Sequence, residues 1–355
     1  MTRVVAAMSG GVDSSVAAAL VKEAGYEVVG ATLKLLPGSP TGFGCCGSPD
    51  DIADAKRVCE TLGIRHYVLN FDELFERDVI GLFVKDYLDS RTPNPCVECN
   101  RSVKFGTLLR LAGALDAQFV ATGHYARIEH TDNGVHHMRR SVDEGKDQTY
   151  FLHALSQDQL ARILFPVGHL TKDQVREKAR ALGLKTADKP ESQEICFVPN
   201  RDYRGFLRAH APEDSPALQP GDIRNAKGEL LGRHTGLSDY TIGQRKGLGL
   251  TSVEPLYVTG LDKASNTLIV GGDAETLRSR FRVERLTWTG AAPRGKVGVR
   301  IRHRGNVADA ELQGGPQGAV DVALAQGERA VTPGQTAVFY EGERVLGGGT
   351  IREVL

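Results

Sequence analysis

The residues best suited to chemistry are a serine- and glycine-rich turn and three of the chain's six cysteines. Ser9-Gly10-Gly11-Val12-Asp13-Ser14-Ser15 follows the apolar run 4–8 and leads into an apolar segment at 16–24. Two adjacent glycines allow positive φ and bring consecutive N–H groups onto one anion, and a helix N-terminus adds partial positive charge. Strand, glycine turn and helix start in that order predict a phosphate site. The turn has neither the Gly-Lys-Ser/Thr of a Walker loop nor the three glycines of a dinucleotide fingerprint.

A pair of thiols lies in Thr92-Pro93-Asn94-Pro95-Cys96-Val97-Glu98-Cys99-Asn100-Arg101. Its two prolines predict a stiff loop presenting both sulfurs in one direction. Arg101 and Lys104 favour thiolate, the form that attacks sulfur, binds metal and accepts persulfide. Cys196, in Ile195-Cys196-Phe197, must be brought to its partners by the fold. A single Cys-x-x-Cys lacks the second pair of a structural zinc site. Cys59 falls within a helix and is expected to be an inert, packed thiol. Cys45 and Cys46, in a glycine loop, are expected to face solvent without a catalytic role.

At 355 residues the chain should form two or three domains. Gly25 caps the first helix, and 26–35 reads as a second strand. Ser48-Pro49-Asp50-Asp51 opens a helix that ends at Gly63. A strand at 66–71, a helix through about 89 and a strand at 119–122 ending in Gly123-His124 complete the alternation. This pattern predicts an α/β fold with a doubly wound parallel sheet, which binds ligands at the carboxyl ends of its strands. Asp132-Asn133-Gly134 marks a hairpin, and Thr171 with Gln174 forms a capping box. The α/β domain is placed at 1–202. Beyond it Pro212, Pro216, Pro220 and Gly221 punctuate the chain, which reads as short strands between glycine turns. A small central connector at 203–273 and a C-terminal β-barrel at 274–355 are expected.

Formal charge is zero, with 44 basic and 44 acidic residues, yet 278–304 holds nine Lys or Arg and the single acid Glu284. Alternation over 296–304 puts Val297, Val299 and Ile301 on one side of a strand and Arg300, Arg302 and Arg304 on the other. Such a stripe contacts phosphates without reading sequence. No run of 18 apolar residues occurs, and Met1-Thr2-Arg3 enters a strand directly. A cytoplasmic enzyme with neither membrane span nor secretory signal is expected, its cysteines resting as thiols.

Ser-Gly-Gly-Val-Asp-Ser resembles the signature of the PP-loop ATP pyrophosphatases. Further motifs are Thr-Pro-Asn-Pro-Cys-Val-Glu-Cys-Asn, Ala-Thr-Gly-His-Tyr-Ala-Arg at 121–127, Lys146-Asp147-Gln148-Thr149-Tyr150-Phe151-Leu152, Ile195-Cys196-Phe197, 240–247 and 333–338. With these the chain resembles the tRNA-specific 2-thiouridylases over nearly its whole length. The resemblance implies an adenine-nucleotide alpha-hydrolase-like first domain, with ATP and Mg2+ served by Ala7, Met8, Ser9, Gly10, Gly11, Val12, Asp13, Ser14, Leu33 and Gly123. Leu33 alone would be read as core. Cys99 matches the nucleophile and Cys196 the persulfide carrier, the two able to join as a disulfide.

Further implied contacts are Asn94, Pro95 and Cys96 beside the target base, and His124, Lys146, Asp147, Gln148, Arg302, His303 and Gln335 on tRNA. The implied partners are tRNA and a persulfide or sulfur-carrier protein, and a monomer is expected. Many family members carry aspartate where this chain has Cys96, so a second sulfur route is open: Cys96, Cys99 and Cys196 as ligands of a [4Fe–4S] cluster. The rival functions are a PP-loop synthetase or amidotransferase with another acceptor, and an ATP- or RNA-binding module without catalysis.

Overall fold

A computed structural model describes residues 1–36, 47–131, 134–190 and 195–355. Five parallel strands form the first sheet, in the order Arg65–Asn70, Glu27–Lys34, Arg3–Ala7, Phe119–Ala121, Ile163–Leu164. Its residues alternate between two cores. Val5, Ala31, Leu33 and Val120 enter one, while Val4, Ala6, Val28 and Ala121 enter the other, so both faces are covered as a doubly wound sheet requires. The strand order reverses beside Arg3–Ala7, and the crevice at such a reversal is where ligands bind. Both Met8 to Gly11 and Gly123-His124 leave the sheet there. The last strand, Ile163–Leu164, has two residues and no periodicity for the sequence to reveal.

The helix ends follow their local signals. Ser48 Oγ accepts from Asp51 N at 3.1 Å, and Gly63 closes that helix at φ +61°. Thr171 and Gln174 form the expected reciprocal cap, at 2.8 and 3.3 Å. The hairpin strands Ala126–His130 and His136–Arg140 pair antiparallel, although Asp132 and Asn133 of its turn lie outside the described residues.

One element departs from expectation. Residues following 202 open not with strands but with the helix Tyr203–His210, capped by Asp202 accepting from Gly205 N at 2.9 Å. It is only two turns long, and its apolar positions Tyr203, Phe206 and Leu207 are offset by three and four. The helix is held by tertiary packing: Phe206 meets Phe83 and Phe197 at ring distances of 6.1 and 5.3 Å, in the same core as the segment bearing Cys196.

The central unit is a four-stranded sheet, Tyr257–Asp262, Thr267–Gly271, Gly221–Asn225, Leu230–His234, over a core of Ile223, Val258, Leu268 and Val270. The C-terminal unit is a closed barrel of six strands: Leu277–Trp288 pairs with both Val320–Arg329 and Arg344–Val354, which removes the edges. The hairpin of the first unit joins this barrel at Arg139 opposite Arg344.

Candidate active site

The glycine turn is folded by its own hydroxyls. Ser14 Oγ donates to Gly11 O at 3.1 Å and accepts from Ser9 N at 3.2 Å, while Ser15 Oγ donates to Gly11 O at 2.8 Å. The helix Val12–Glu23 begins after Gly11 with no side-chain cap, leaving its first N–H groups for an anion. Two glycines are required here. Gly10 sits at φ +74°, where a Cβ would lie 2.4 Å from Asp51 O, and a Cβ on Gly123 would lie 2.5 Å from Ser14 N. The second strand end is thus pressed directly onto the helix start.

A cavity of about 280 Å³ opens at this point. Ala7, Met8, Ser9, Asp13 and Ser14 line it from the loop, and Leu33 and Gly123 from neighbouring strand ends. Gly10, Gly11 and Val12 shape the turn beneath. His124 and Gln148, expected on tRNA, line the same cavity. So do Ala31, Leu35, Thr122 and Lys104, which the sequence reading did not assign to the nucleotide.

Two lysines distant in sequence hold the loop. Lys172 Nζ donates to both oxygens of Asp13, at 2.7 and 2.9 Å, and the Tyr125 hydroxyl donates to Asp13 Oδ1 at 2.8 Å. Lys189 Nζ reaches Gly10 O at 3.1 Å, Asp51 Oδ1 at 2.8 Å and Asp54 Oδ2 at 2.5 Å. Neither was legible in the sequence, because each lies more than 150 residues from the loop and is brought to it only by packing on the same face of the sheet as the helix Val12–Glu23. The only hint for Tyr125 was its place in the 121–127 motif. The arrangement suits a triphosphate on the helix N-terminus. It does not suit a magnesium ion held by Asp13, whose carboxylate is matched with an ammonium.

The cysteine pair sits in helix rather than loop, on Pro95–Glu98 and the wide π-helix Cys99–Thr107 that continues it. The two residues are unequal: Cys96 is exposed as a residue although its sulfur faces protein, whereas Cys99 is 7 % exposed and packed in the core. The Cys96 thiol is pushed up to about 11 by surrounding protein and by nearby Cys196, which outweigh the pull of Lys104. Arg101 lies 3.6 Å from Glu98, so the expected thiolate at Cys96 is not what this arrangement favours. Among the described residues no group of three or more His, Cys, Asp or Glu could hold a metal ion. Cys96, Cys99 and Cys196 therefore do not fit a cluster as placed here. Cys59 is buried, its thiol pushed up to about 12 by burial, and Cys45 and Cys46 lie outside the described residues.

His124 is held neutral: burial, and secondarily Lys104, push it well below the ordinary 6.5, and its Nδ1 lies 2.8 Å from Thr122 Oγ1. Other expected RNA contacts have structural partners. Gln148 Oε1 accepts from Tyr125 N at 2.9 Å, and Gln335 Nε2 donates to Thr92 O and Pro93 O at 3.0 and 3.1 Å, fastening the segment that carries Asn94 and Pro95. His303 lies against Phe151 at 4.5 Å, half-buried, and Lys146 is half-buried beside Asp147. The arginine stripe is broken. Val297, Val299 and Ile301 point inward as expected, but the strand ends at Arg300, which is itself 6 % exposed and paired with buried Asp147. Arg302 and Arg304 remain exposed, Arg302 lying 3.2 Å from Glu328.

Family models match all three units: a tRNA methyl transferase HUP domain over residues 2–200, a tRNA methyl transferase PRC-barrel domain over 204–272, and an aminomethyltransferase beta-barrel domain over 278–351. The tRNA-specific 2-thiouridylase MnmA of Halothermothrix orenii is 46% identical over 99% of both chains. Proteins of the same name from Chloroflexus aggregans and Symbiobacterium thermophilum are 49% and 48% identical, over 99% of this chain and 98% and 93% of theirs. The chain belongs to the tRNA-specific 2-thiouridylase family. The cavity is lined on one wall by the glycine turn and on another by Lys104, from the helix that starts with Cys99. No helix among the described residues is long and apolar enough to cross a membrane.

Proposed function

We propose that the chain catalyses ATP-dependent 2-thiolation of the wobble uridine of tRNA. The observation carrying this reading is that Ser9, Asp13 and Ser14 of the phosphate loop share one cavity with Lys104, on the Cys99 helix, and with His124. Activation and sulfur delivery would then occur at one place.

In this reading uracil O2 attacks the α-phosphorus of ATP. The O2–Pα bond forms, the bond to the β-phosphate oxygen breaks, pyrophosphate leaves with the electron pair, and N3 gives its proton to water. The terminal sulfur of a persulfide on Cys196 then attacks C2, and the C2–O2 bond breaks as AMP departs. Cys99 thiolate attacks the Cys196 sulfur, leaving sulfur on C2 and a Cys99–Cys196 disulfide that a thiol reductant must reopen. Cys99 needs local opening for this step, as catalytic segments often do before substrate binds. Magnesium would enter with the triphosphate, where its charge offsets that of the phosphates. The folded RNA would lie along the central unit and barrel, with Arg302, His303 and Lys146 toward it.

The test supplies purified protein with unmodified tRNA, ATP and a small persulfide donor, and measures 2-thiouridine in the digested tRNA alongside AMP and pyrophosphate, with and without the tRNA. One AMP per 2-thiouridine is expected, with Cys99→Ser and Cys196→Ser each abolishing the thio product. Pyrophosphate release that ignores tRNA would favour a synthetase with another acceptor, and no release a binding module.

A further inference from the structure

The chemistry above gathers negative charge on the α-phosphoryl group as pyrophosphate is displaced, and Lys172 and Lys189 are placed to shape the loop rather than to meet that charge. Lys104 lines the cavity from the opposite wall, together with Ser9, Gly123 and His124. Its placement depends on an unusual turn. Thr107 Oγ1 donates to Ser102 O, five residues back, at 3.1 Å, and a Cβ on Gly106 would lie 2.8 Å from Arg101 O, also five back. A helix wound this widely stacks residues five apart, whereas an α-helix would turn them to different faces. Lys104 stands five residues after Cys99, so one π-helical turn carries both the thiol and a cation. The ammonium of Lys104 lies near enough to both the Cys96 thiol and the His124 ring to act on each.

We propose that Lys104 is a catalytic cation of the adenylation step, its ammonium meeting the α-phosphoryl oxygens while uracil O2 displaces pyrophosphate. This rests on the thiolation reading. As the O2–Pα bond forms and the bond to the β-phosphate oxygen breaks, Lys104 neither gains nor loses a proton, and acts by opposing the charge that grows on the phosphoryl oxygens. The π-helical turn would then have a purpose: it aims the cation of the first half-reaction from the helix that bears the nucleophile of the second.

The experiment is single-turnover pyrophosphate release from γ-labelled ATP with unmodified tRNA, for the full chain and for Lys104→Met and Lys104→Arg. Lys104→Met should lower the rate at saturating ATP and tRNA by roughly 10²–10³-fold, the loss usual for one preorganised charge-stabilising group. Its affinities for ATP and tRNA should stay near those of the unaltered protein, and Lys104→Arg should recover part of the rate. An unchanged saturated rate in Lys104→Met, or weaker ATP binding as the sole defect, would overturn the role of Lys104 and leave the thiolation reading standing. Absence of tRNA-dependent pyrophosphate release in the unaltered protein overturns both.

Discussion

Asp147 and Arg300, 153 residues apart, form an ion pair of 3.1 Å whose side chains are 1% and 7% exposed. Asp147 also accepts from Thr149 Oγ1, and the Arg300 guanidinium lies 5.4 Å from the centre of the Tyr340 ring. The pair ties the Lys146-Asp147-Gln148 segment beside the cavity to the barrel. Asp147 keeps Arg140 at 3.7 Å when Arg300 is removed, so Arg300→Met should destabilise the protein by less than the about 3–5 kcal/mol of a fully stranded buried charge. Asp147→Asn in the same chain should restore part of the loss. Urea unfolding of the two single variants and the double variant measures the coupling.

Lys172 opposes a carboxylate that faces the phosphate site. With Lys172→Met, Asp13 is left charged at the mouth of the helix N-terminus, where it repels a triphosphate. ATP affinity should fall by about tenfold, corresponding to about 1.4 kcal/mol. Equilibrium binding of ATP reads the change directly. Adding Asp13→Asn should return part of it, and an unaltered affinity in the single variant would show that Asp13 does not face the nucleotide.

His153 sets a pH dependence. Burial lowers it from 6.5 to about 4, against its Nδ1 contact with Tyr150 O at 3.0 Å, and Arg101 adds to the lowering. Between those values the unfolded chain binds the proton and the folded chain does not, so stability rises with pH across that window. The contribution is fully present above about 6.5 and is lost as the pH falls toward about 4. Thermal melts across this range should show His153→Asn losing less stability on acidification than the unaltered protein. Equal slopes would rule out His153 as a source.

Salt dependence of tRNA binding distinguishes two of the three arginines that the strand alternation had grouped. Arg302→Ala should lower the slope of log K against log salt by about one. Arg300→Met should leave that slope unchanged wherever it remains folded, because Arg300 is held by Asp147 beneath the surface. Filter binding over a salt series checks both.

The phosphate loop was legible from sequence because its chemistry is local: glycines, hydroxyls and a helix start within seven residues dictate the turn wherever they occur. The same holds for the capping boxes and for the inward alternation of Val297, Val299 and Ile301. What the sequence did not contain were relationships set by distance through space. Alternation put Arg300 outside, yet a buried carboxylate from another unit draws it inward. A cysteine pair beside cations read as thiolates, yet Arg101 turns to Glu98 and Cys99 is packed in the core. The helix Tyr203–His210 is too short to announce itself and forms on an aromatic core. Lys172 and Lys189 reach the phosphate loop only because the sheet folds them back over it. Propensity and motif act over a few neighbours, whereas burial and charge pairing depend on what the whole chain brings alongside, and only the tertiary structure decides that.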